Sequence, residues 1–348
     1  GTDMEYMIGK SIFYSILGIG AMIMAYNLDY TIIGKNPNIL FFGFLVIVLG
    51  VSIISPHYQG RVFYSNFVLL LYPTVFTGII YSMRNNGYVG IILCGAFMAI
   101  SYIVLLPFAL YSTYVLYSLL CLILLTISIL KGWFNISKIK GMLLIYVPSI
   151  TAVSLVIFNN YFLMKRLINA FNPNLDPRGD GWMSIMSREI IRNARFIGEG
   201  LGSSSGYMMP AIHTDFSITY LIHKLGWISF IIIVAILTLL IVKSLKLCLR
   251  QSSVLGSLVS ISVLLTFSMQ VIIYIAYNLG FQLIAPLTLP LISYGGVGTI
   301  INMFLIGIML SVFKWDNLIN DNVLTSSGKR FFNYTDGKII IDFKSLNS

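Results

Sequence analysis

Apolar stretches recur along this chain at lengths that cross a lipid bilayer, separated for the most part by short turns carrying Gly, Pro, Asn or charge. A hydrocarbon core of about 30 Å needs about 20 apolar residues of helix, and a helix in lipid satisfies its own backbone. Read this way, spans are predicted near 6–26, 38–56, 62–82, 88–108, 111–130, 141–161, 217–242, 253–279 and 293–314. The expected fold class is all-α: a polytopic transmembrane helix bundle of about nine spans over residues 1–314, with a short polar tail over 315–348. The first run, Tyr6 to Tyr26, has no small-residue cleavage site and is one of many, so it reads as a span and not as a signal peptide.

One connection breaks the pattern. Residues 162–216 form a long, polar, glycine-bearing loop, and loops of that length are uncommon without a purpose. Within it, Trp182 to Ile197 predicts an amphipathic helix, with Trp182, Ile185, Met186 and Ile190 on one face and Arg188, Arg192 and Arg195 on the adjoining one. Such a helix would lie on the membrane surface. In the tail, Arg330 to Phe343 carries Asp336-Gly337 between two apolar-rich segments, the pattern of a small hairpin.

Composition removes the soluble alternative. Hydrophobic residues make up 57% of the 348 positions and charged residues 10%, against roughly half and roughly a quarter in soluble domains. The net charge of +10 would suggest nucleic acid in a soluble protein, but topology uses the basic residues up, and no nucleic-acid partner is expected. Lys35, Arg84, Lys131, Lys138, Lys140, Lys243, Lys246, Arg250 and Lys314 share one side when the spans alternate, and that side is the cytoplasm by the positive-inside rule. The 162–216 loop and the N-terminus then face outward, and the C-terminus is cytoplasmic. Gly1-Thr2-Asp3 before Met4 reads as a cut edge. Cys94 and Cys121 sit in apolar runs and Cys248 beside basic residues, a distribution unlike a disulfide framework or zinc site.

The densest polar cluster is Pro210-Ala211-Ile212-His213-Thr214-Asp215-Phe216, where the long loop re-enters the membrane. Asp215 at the first turn of the next helix either caps it or acts as a general base at the water–lipid boundary with His213 as partner. Gly198-Glu199-Gly200-Leu201-Gly202, followed by Ser203, Ser204, Ser205 and Gly206, lacks the Lys-Ser/Thr of a phosphate loop. It reads instead as backbone that folds tightly against helices or approaches a lipid headgroup. Leu289-Pro290-Leu291-Ile292-Ser293-Tyr294-Gly295-Gly296-Val297-Gly298 opens the last span, either as a small-residue packing face or as a broken helix start lining a cavity. Arg166, Arg178, Arg188, Arg192 and Arg195 form either a solvated face or a diphosphate clamp, since guanidinium suits phosphate geometry.

In order and spacing, His213-Thr214-Asp215-Phe216, Lys224-Leu225-Gly226, Asn278-Leu279-Gly280 and Leu289-Pro290-Leu291-Ile292-Ser293-Tyr294-Gly295-Gly296 resemble the shape, elongation, division and sporulation family, the FtsW/RodA/SpoVE group. Arg166, Phe171-Asn172-Pro173, Gly181-Trp182 and the run from Gly198 to Gly202 resemble the family's Arg…Phe-Leu-Asp-Pro…Gly-Tyr-Gln…Gly-Lys-Gly-Leu-Gly series. Gly9-Lys10 through Leu28-Asp29-Tyr30 is similar to its second helix. The likeness is strong over about 160–314 and faint before.

That resemblance implies helices 2 to 10 of the family fold, with the first helix upstream of this chain. It implies a bacterial plasma-membrane peptidoglycan glycosyltransferase that polymerises undecaprenyl-linked lipid II, usually beside a class B penicillin-binding transpeptidase. The catalytic carboxylate maps to Asp215 and the loop arginine to Arg166. His213, Thr214, Ser293, Tyr294, Gly295 and Gly296 join as implied substrate-binding residues, and Arg188 and Arg192 as candidates by proximity. No protein metal site is expected; a divalent cation, Mg or Mn, would be bound mainly through the substrate diphosphate.

The sequence also departs from the family pattern. Pro210-Ala211 stands where the family has Pro-Glu, and His223-Lys224-Leu225-Gly226 where it has Glu-Glu-Leu-Gly. Asn193-Ala194-Arg195 replaces Ser-Gly-Gly, Ala285-Pro286 stands near an absent Thr-Gly, and Gln-Pro-Ser-Glu is reduced to Tyr72-Pro73-Thr74. Three readings follow: a lipid-linked sugar polymerase, a flippase for a lipid-linked precursor, and a catalytically idle relative serving as a scaffold for a transpeptidase.

Overall fold

The computed structural model describes residues 2–55, 57–58, 61–105, 111–198, 215–283, 287, 289–292, 296–315, 332–335 and 338–341. In chain order the helices are α1 (Thr2–Asn27), α2 (Ile32–Lys35), α3 (Pro37–Ile54), α4 (Phe63–Val68), α5 (Tyr72–Met83), α6 (Gly87–Leu105), α7 (Tyr111–Leu130), α8 (Lys138–Asn159), α9 (Tyr161–Phe171), α10 (Trp182–Arg192), α11 (Ser217–Leu225), α12 (Trp227–Leu249), α13 (Val254–Asn278) and α14 (Gly296–Trp315). Strands β1 (His57–Tyr58) and β2 (Arg61–Val62) pair antiparallel, as do β3 (Phe332–Thr335) and β4 (Lys338–Ile341). The second pair is the hairpin expected in the tail, with Thr335 opposite Lys338.

Among the described residues, 9 helical segments are long and apolar enough to cross a membrane: Gly9–Asn27, Pro37–Ile54, Tyr64–Met83, Gly87–Leu105, Thr113–Leu130, Lys138–Asn159, Trp227–Leu249, Val254–Asn278 and Gly296–Trp315. The all-α polytopic expectation is met span for span. The seventh boundary needs correction. The apolar run from 217 is divided at Gly226, whose φ of +84° belongs to the left-handed region, so α11 is a separate short helix and the span begins at Trp227. The break follows His223 and Lys224, which an apolar run from 217 to 242 passes over.

The chain divides into two compact units, one of Gly1–Ile16, Ile150–Ser244 and Phe267–Asn302, the other of Leu17–Ser149, Leu245–Thr266 and Met303–Ser348. The second unit is built around α5, from Tyr72 to Tyr81 buried without interruption. Tyr72 donates or accepts a 2.8 Å hydrogen bond with the Ser101 hydroxyl, and its ring meets those of Phe41, Phe44, Phe76 and Tyr117 at 5.0–6.1 Å. Aromatic rings at such separations add to the burial of their own area. Between α1 and α3, Asp29 accepts from the Thr31 N–H and hydroxyl at 2.9 and 2.6 Å and pairs with Lys35 at 3.5 Å. Partial burial pushes its carboxyl pKa up, but these hydrogen bonds and the Lys35 charge outweigh it and hold the value below the ordinary one.

Close helix approach in this unit depends on a glycine. A β-carbon at Gly78 of α5 would sit 2.3 Å from the Ile33 carbonyl oxygen, a backbone atom that cannot swing aside. Gly43 of α3 has nothing within 4 Å of the same position. Overpacking costs typically about 1–3 kcal/mol. Gly78→Ala is therefore expected to lower the thermal midpoint of the detergent-solubilised protein by several degrees, whereas Gly43→Ala leaves it unchanged or slightly raised. Equal behaviour of the two variants in a thermal-shift assay would contradict this packing.

Candidate functional site

The candidate residues of the long loop belong to the first unit, where α10 and α11 meet the C-terminal end of α13. Helix α10 starts at a turn that only glycine tolerates: a β-carbon at Gly181 would lie 2.1 Å from the Pro173 carbonyl oxygen. Upstream, Asp176 accepts from the Gly179 N–H at 3.1 Å and pairs with Lys165 at 2.9 Å. The hydrogen bond from Lys165, more than its charge, lowers the Asp176 pKa.

Sequence periodicity placed Trp182, Ile185, Met186 and Ile190 on one apolar face of this helix. Of these Ile190 is buried and Met186 packs beside it, but the other buried residues are Ser184, Ser187 and Ile191, and the helix ends at Arg192, not at Ile197. The cause is hydrogen bonding. The Ser184 hydroxyl donates to the Gly280 carbonyl, the Ser187 hydroxyl to the Asn278 carbonyl, and an Arg188 Nη to the Gly280 carbonyl at 2.9 Å. Positions 184, 187, 188 and 191 form one helical stripe, and two serines in it outrank the larger apolar side chains. Beyond the helix, the Arg195 and Phe196 carbonyls accept from the Trp227 and Ile228 N–H groups at 3.2 and 3.3 Å. A β-carbon at Gly226 would meet the Phe196 carbonyl oxygen at 2.3 Å, and one at Gly198 the Lys224 carbonyl oxygen at 2.4 Å. The glycines of Lys224-Leu225-Gly226 and Gly198 thus permit backbone to lie on backbone, as the tight-folding reading of Gly198 anticipated.

Helix α13 ends in a Schellman motif, with Phe281 N–H bonded to the Ala276 carbonyl at 2.9 Å, Gly280 N–H to the Tyr277 carbonyl at 3.1 Å, and Gly280 at φ +87°. This geometry meets part of the carbonyl excess at a helix end. Arg188 supplies more, lying over Gly280 and 5.2 Å from the Phe281 ring centroid. A cation there also suits the negative end of the helix dipole.

Asn278, fully buried, is the centre of the arrangement. Its Nδ2 donates to the Asp215 carbonyl and the Tyr274 carbonyl, both at 2.9 Å. Its Oδ1 accepts from the Thr219 N–H at 3.0 Å and the Thr219 hydroxyl at 3.1 Å. Both amide protons and both oxygen lone pairs are used. The N-cap position of α11 belongs to Phe216, whose side chain makes no capping bond; the N3 donor, Thr219 N–H, is met by Asn278 of another helix. The Ser217 N–H bonds the Tyr274 hydroxyl at 3.3 Å. Phe216, itself buried, packs with Ile190, Met183, Met186 and Tyr277, its ring 5.1 Å from that of Tyr277. Asp215 is therefore held by its own carbonyl and by the anchored residue after it, with partial exposure.

Arg188 and Asp215 are brought together in the sense that both are bound to residues 278–280. Arg192 is exposed on the last turn of α10, and Arg166 is exposed on α9. Gly296 opens α14 with Tyr14 against it, where a β-carbon would fall 2.5 Å from the ring. His213, Thr214, Ser293, Tyr294 and Gly295 lie outside the described residues. No three His, Cys, Asp or Glu side chains among the described residues group as metal ligands. Sequence reasoning missed Ser184, Ser187, Thr219 and Tyr274. Their signal was the helical spacing of small polar residues at 184 and 187, beside Arg188, opposite the polar 274 and 278.

Comparison with known proteins fits this fold. The chain belongs to the FtsW/RodA/SpoVE family of cell cycle proteins, whose profile matches residues 1–317. A probable peptidoglycan glycosyltransferase FtsW from Trichlorobacter lovleyi is 30% identical over 162 residues, 46% of this chain and 42% of that protein. Stage V sporulation protein E of Bacillus subtilis is 29% identical over 156 residues, 44% of this chain and 43% of that protein. In both, the chain spans less than half of the relative's length. A probable peptidoglycan glycosyltransferase FtsW from Riesia pediculicola is 26% identical over 325 residues, 89% of this chain and 86% of that protein. Among solved structures, a chain from work on the structural coordination of polymerization and crosslinking by a peptidoglycan synthase complex superposes with a TM-score of 0.68 at 17% identity. It covers 90% of this chain and 91% of its own length, and at that identity it shows the fold alone.

Replacing Asn278 separates the clamp from ordinary packing. Asn278→Ala strands the Asp215 carbonyl and the Thr219 N–H, and a buried polar group left unmet costs about 1–3 kcal/mol. The expected result is a lower thermal midpoint and faster amide hydrogen exchange over 217–222 than in the native chain. Unchanged exchange there would show that α11 is held by other means.

Proposed function

We propose that this family member is a peptidoglycan glycosyltransferase that polymerises lipid II, with Asp215 as general base. The observation that carries the reading is the bond from the Asn278 amide to the Asp215 carbonyl, which fixes an acidic residue beside the start of α11. Two of the relatives described above are named probable peptidoglycan glycosyltransferases, and the carboxylate matched to the family's catalytic one is Asp215. On this reading the loop faces outward from the plasma membrane and the C-terminus inward, in keeping with the basic turns.

A sugar 4-hydroxyl is a poor nucleophile, and a carboxylate within hydrogen-bond reach can take its proton as it attacks. The hydroxyl oxygen forms the new bond to the anomeric carbon of the donor sugar. The carbon–oxygen bond to undecaprenyl diphosphate breaks, and the diphosphate leaves with the electron pair. Its charge calls for cationic stabilisation, for which Arg166, Arg188 and Arg192 are the candidates in the described residues. Arg188 retains further guanidinium N–H groups beyond the one on Gly280. Mg or Mn would neutralise the same diphosphate, since hard cations take oxygen ligands; with no clustered protein ligands among the described residues, the substrate would supply most of them. A class B transpeptidase is the partner this reading implies.

A second reading, an idle scaffold, draws on one observation: His223 and Lys224, standing where the family has acids, are both buried in α11. The same experiment separates the two. Purified native chain is expected to convert fluorescent lipid II with a divalent cation into glycan polymer, and Asp215→Asn to lose at least about 100-fold in rate, the lower range for a general base, with its thermal midpoint retained. Folded native protein that makes no polymer supports the scaffold. Full activity in Asp215→Asn removes the assigned base.

A further inference from the structure

We infer that α9 is an interfacial helix seated in the headgroup layer of the bilayer, and that it holds α10 at a fixed depth. The inference stands apart from the catalytic reading and survives whether or not Asp215 is a base. Its starting point is the surface that precedes α9. Along the end of α8, Ile150, Val153, Leu155, Val156 and Phe158 are exposed, as expected of a span facing lipid. Only Asn160 intervenes before α9. Its carbonyl accepts from the Met164 N–H at 3.1 Å and its Oδ1 from the Leu163 N–H at 3.2 Å. This is N-cap geometry, so a new helix starts at the membrane boundary and the old one stops.

The new helix carries an exposed apolar face. Tyr161, Ile168 and Phe171 are exposed to 76%, 47% and 77%, while Asn169 and Ala170 face inward and are buried. Positions 161, 164, 168 and 171 share one helical face. Leu175 continues it at 62% exposure. Because that face follows the lipid-facing end of α8 after one residue, its occupant is continuous with what covers α8, namely lipid. Lys165 borders the face, where its aliphatic stem lies along the boundary while its ammonium pairs with Asp176, and exposed Arg166 stands on the opposite side of the helix. Aromatic residues at such a level are the usual interfacial anchors.

The surface helix expected from the sequence was α10, whose serines bind the end of α13; the more exposed apolar face belongs to α9. Its position is transmitted through the Lys165–Asp176 pair and the Asp176–Gly179 bond to the Gly181 turn that starts α10. The depth of α9 then sets the level at which Ser184, Ser187 and Arg188 meet residues 278–280.

Single cysteines at 161, 168, 171 and 166, each carrying a small environment-sensitive fluorophore, test this in proteoliposomes of phosphatidylcholine with bromines at mid-acyl-chain. The native cysteines are buried, which restricts labelling to the new sites. The expected result is lipid-bromine quenching at 161, 168 and 171 equal within about twofold and little quenching by aqueous iodide, with the opposite pattern at 166. A helix standing away from the bilayer would carry its 11 residues through about 16 Å, and quenching that falls steadily from 161 to 171 overturns the inference. So does absence of lipid quenching at all three positions, the result for a face reserved for a protein partner. Should a cysteine variant fail to fold, Tyr161→Trp and Phe171→Trp keep the aromatic bulk, and their added fluorescence over the native chain is read against the same quenchers.

Discussion

The carbonyl end of α13 is the constraint on which the candidate site depends. A helix leaves its last carbonyls without intrahelical partners, and near lipid there is little water to take them. Here the Schellman turn at Gly280 satisfies two, and the donors for the Asn278 and Gly280 carbonyls come from other helices: Ser184, Ser187 and Arg188 from α10, Thr219 from α11. Ending one helix and docking two others are thereby the same act. Each bond contributes only about 1 kcal/mol net, but a cluster broken in part leaves buried groups unmet at about 1–3 kcal/mol each. Partial disengagement of α10 is therefore disfavoured more strongly than any single bond suggests.

Apolar packing reinforces the polar contacts. Phe216 and Ile190, from α11 and α10, form a small core closed by Met183, Met186 and Tyr277. Apolar area alone would let the helices slide or rotate, because hydrophobic contact is non-directional. The Asn278 amide, with its four partners, allows one orientation. The hydrophobic term gives the unit cohesion, and the buried amide gives it register.

The transmembrane spans were legible in the sequence because lipid imposes a length and an apolar content that few other environments demand. Boundaries set by local backbone geometry were not. The break at Gly226 follows from a positive φ and from the strand-like contact of 195–196 with 227–228, neither of which changes hydropathy. On α10, a hydrophobic-face reading favoured Trp182 and Ile185, and the buried face proved to contain Ser184 and Ser187, since serine is neutral in any apolar count yet decisive where a helix end needs donors. Asp215 was legible as a residue of interest, but the partner that positions it, Asn278, lies 63 residues away in sequence and was visible only as part of a motif without a physical reason.

The geometry supplies those reasons. Within Asn278-Leu279-Gly280, the amide binds the loop and the glycine adopts the left-handed cap that brings Arg188 close. Within Lys224-Leu225-Gly226, the glycine lets two backbones touch. Within Asp215-Phe216, the aromatic ring anchors and the preceding carbonyl is gripped. That last division matters for the proposed chemistry. The clamp acts on the main-chain carbonyl of Asp215, so positioning the residue and accepting a proton at its carboxylate draw on different atoms. The N3 donor of α11, Thr219 N–H, is met by Asn278 of another helix, so the cap comes from α13 and the N-cap residue, Phe216, is left to pack with Ile190 and Tyr277.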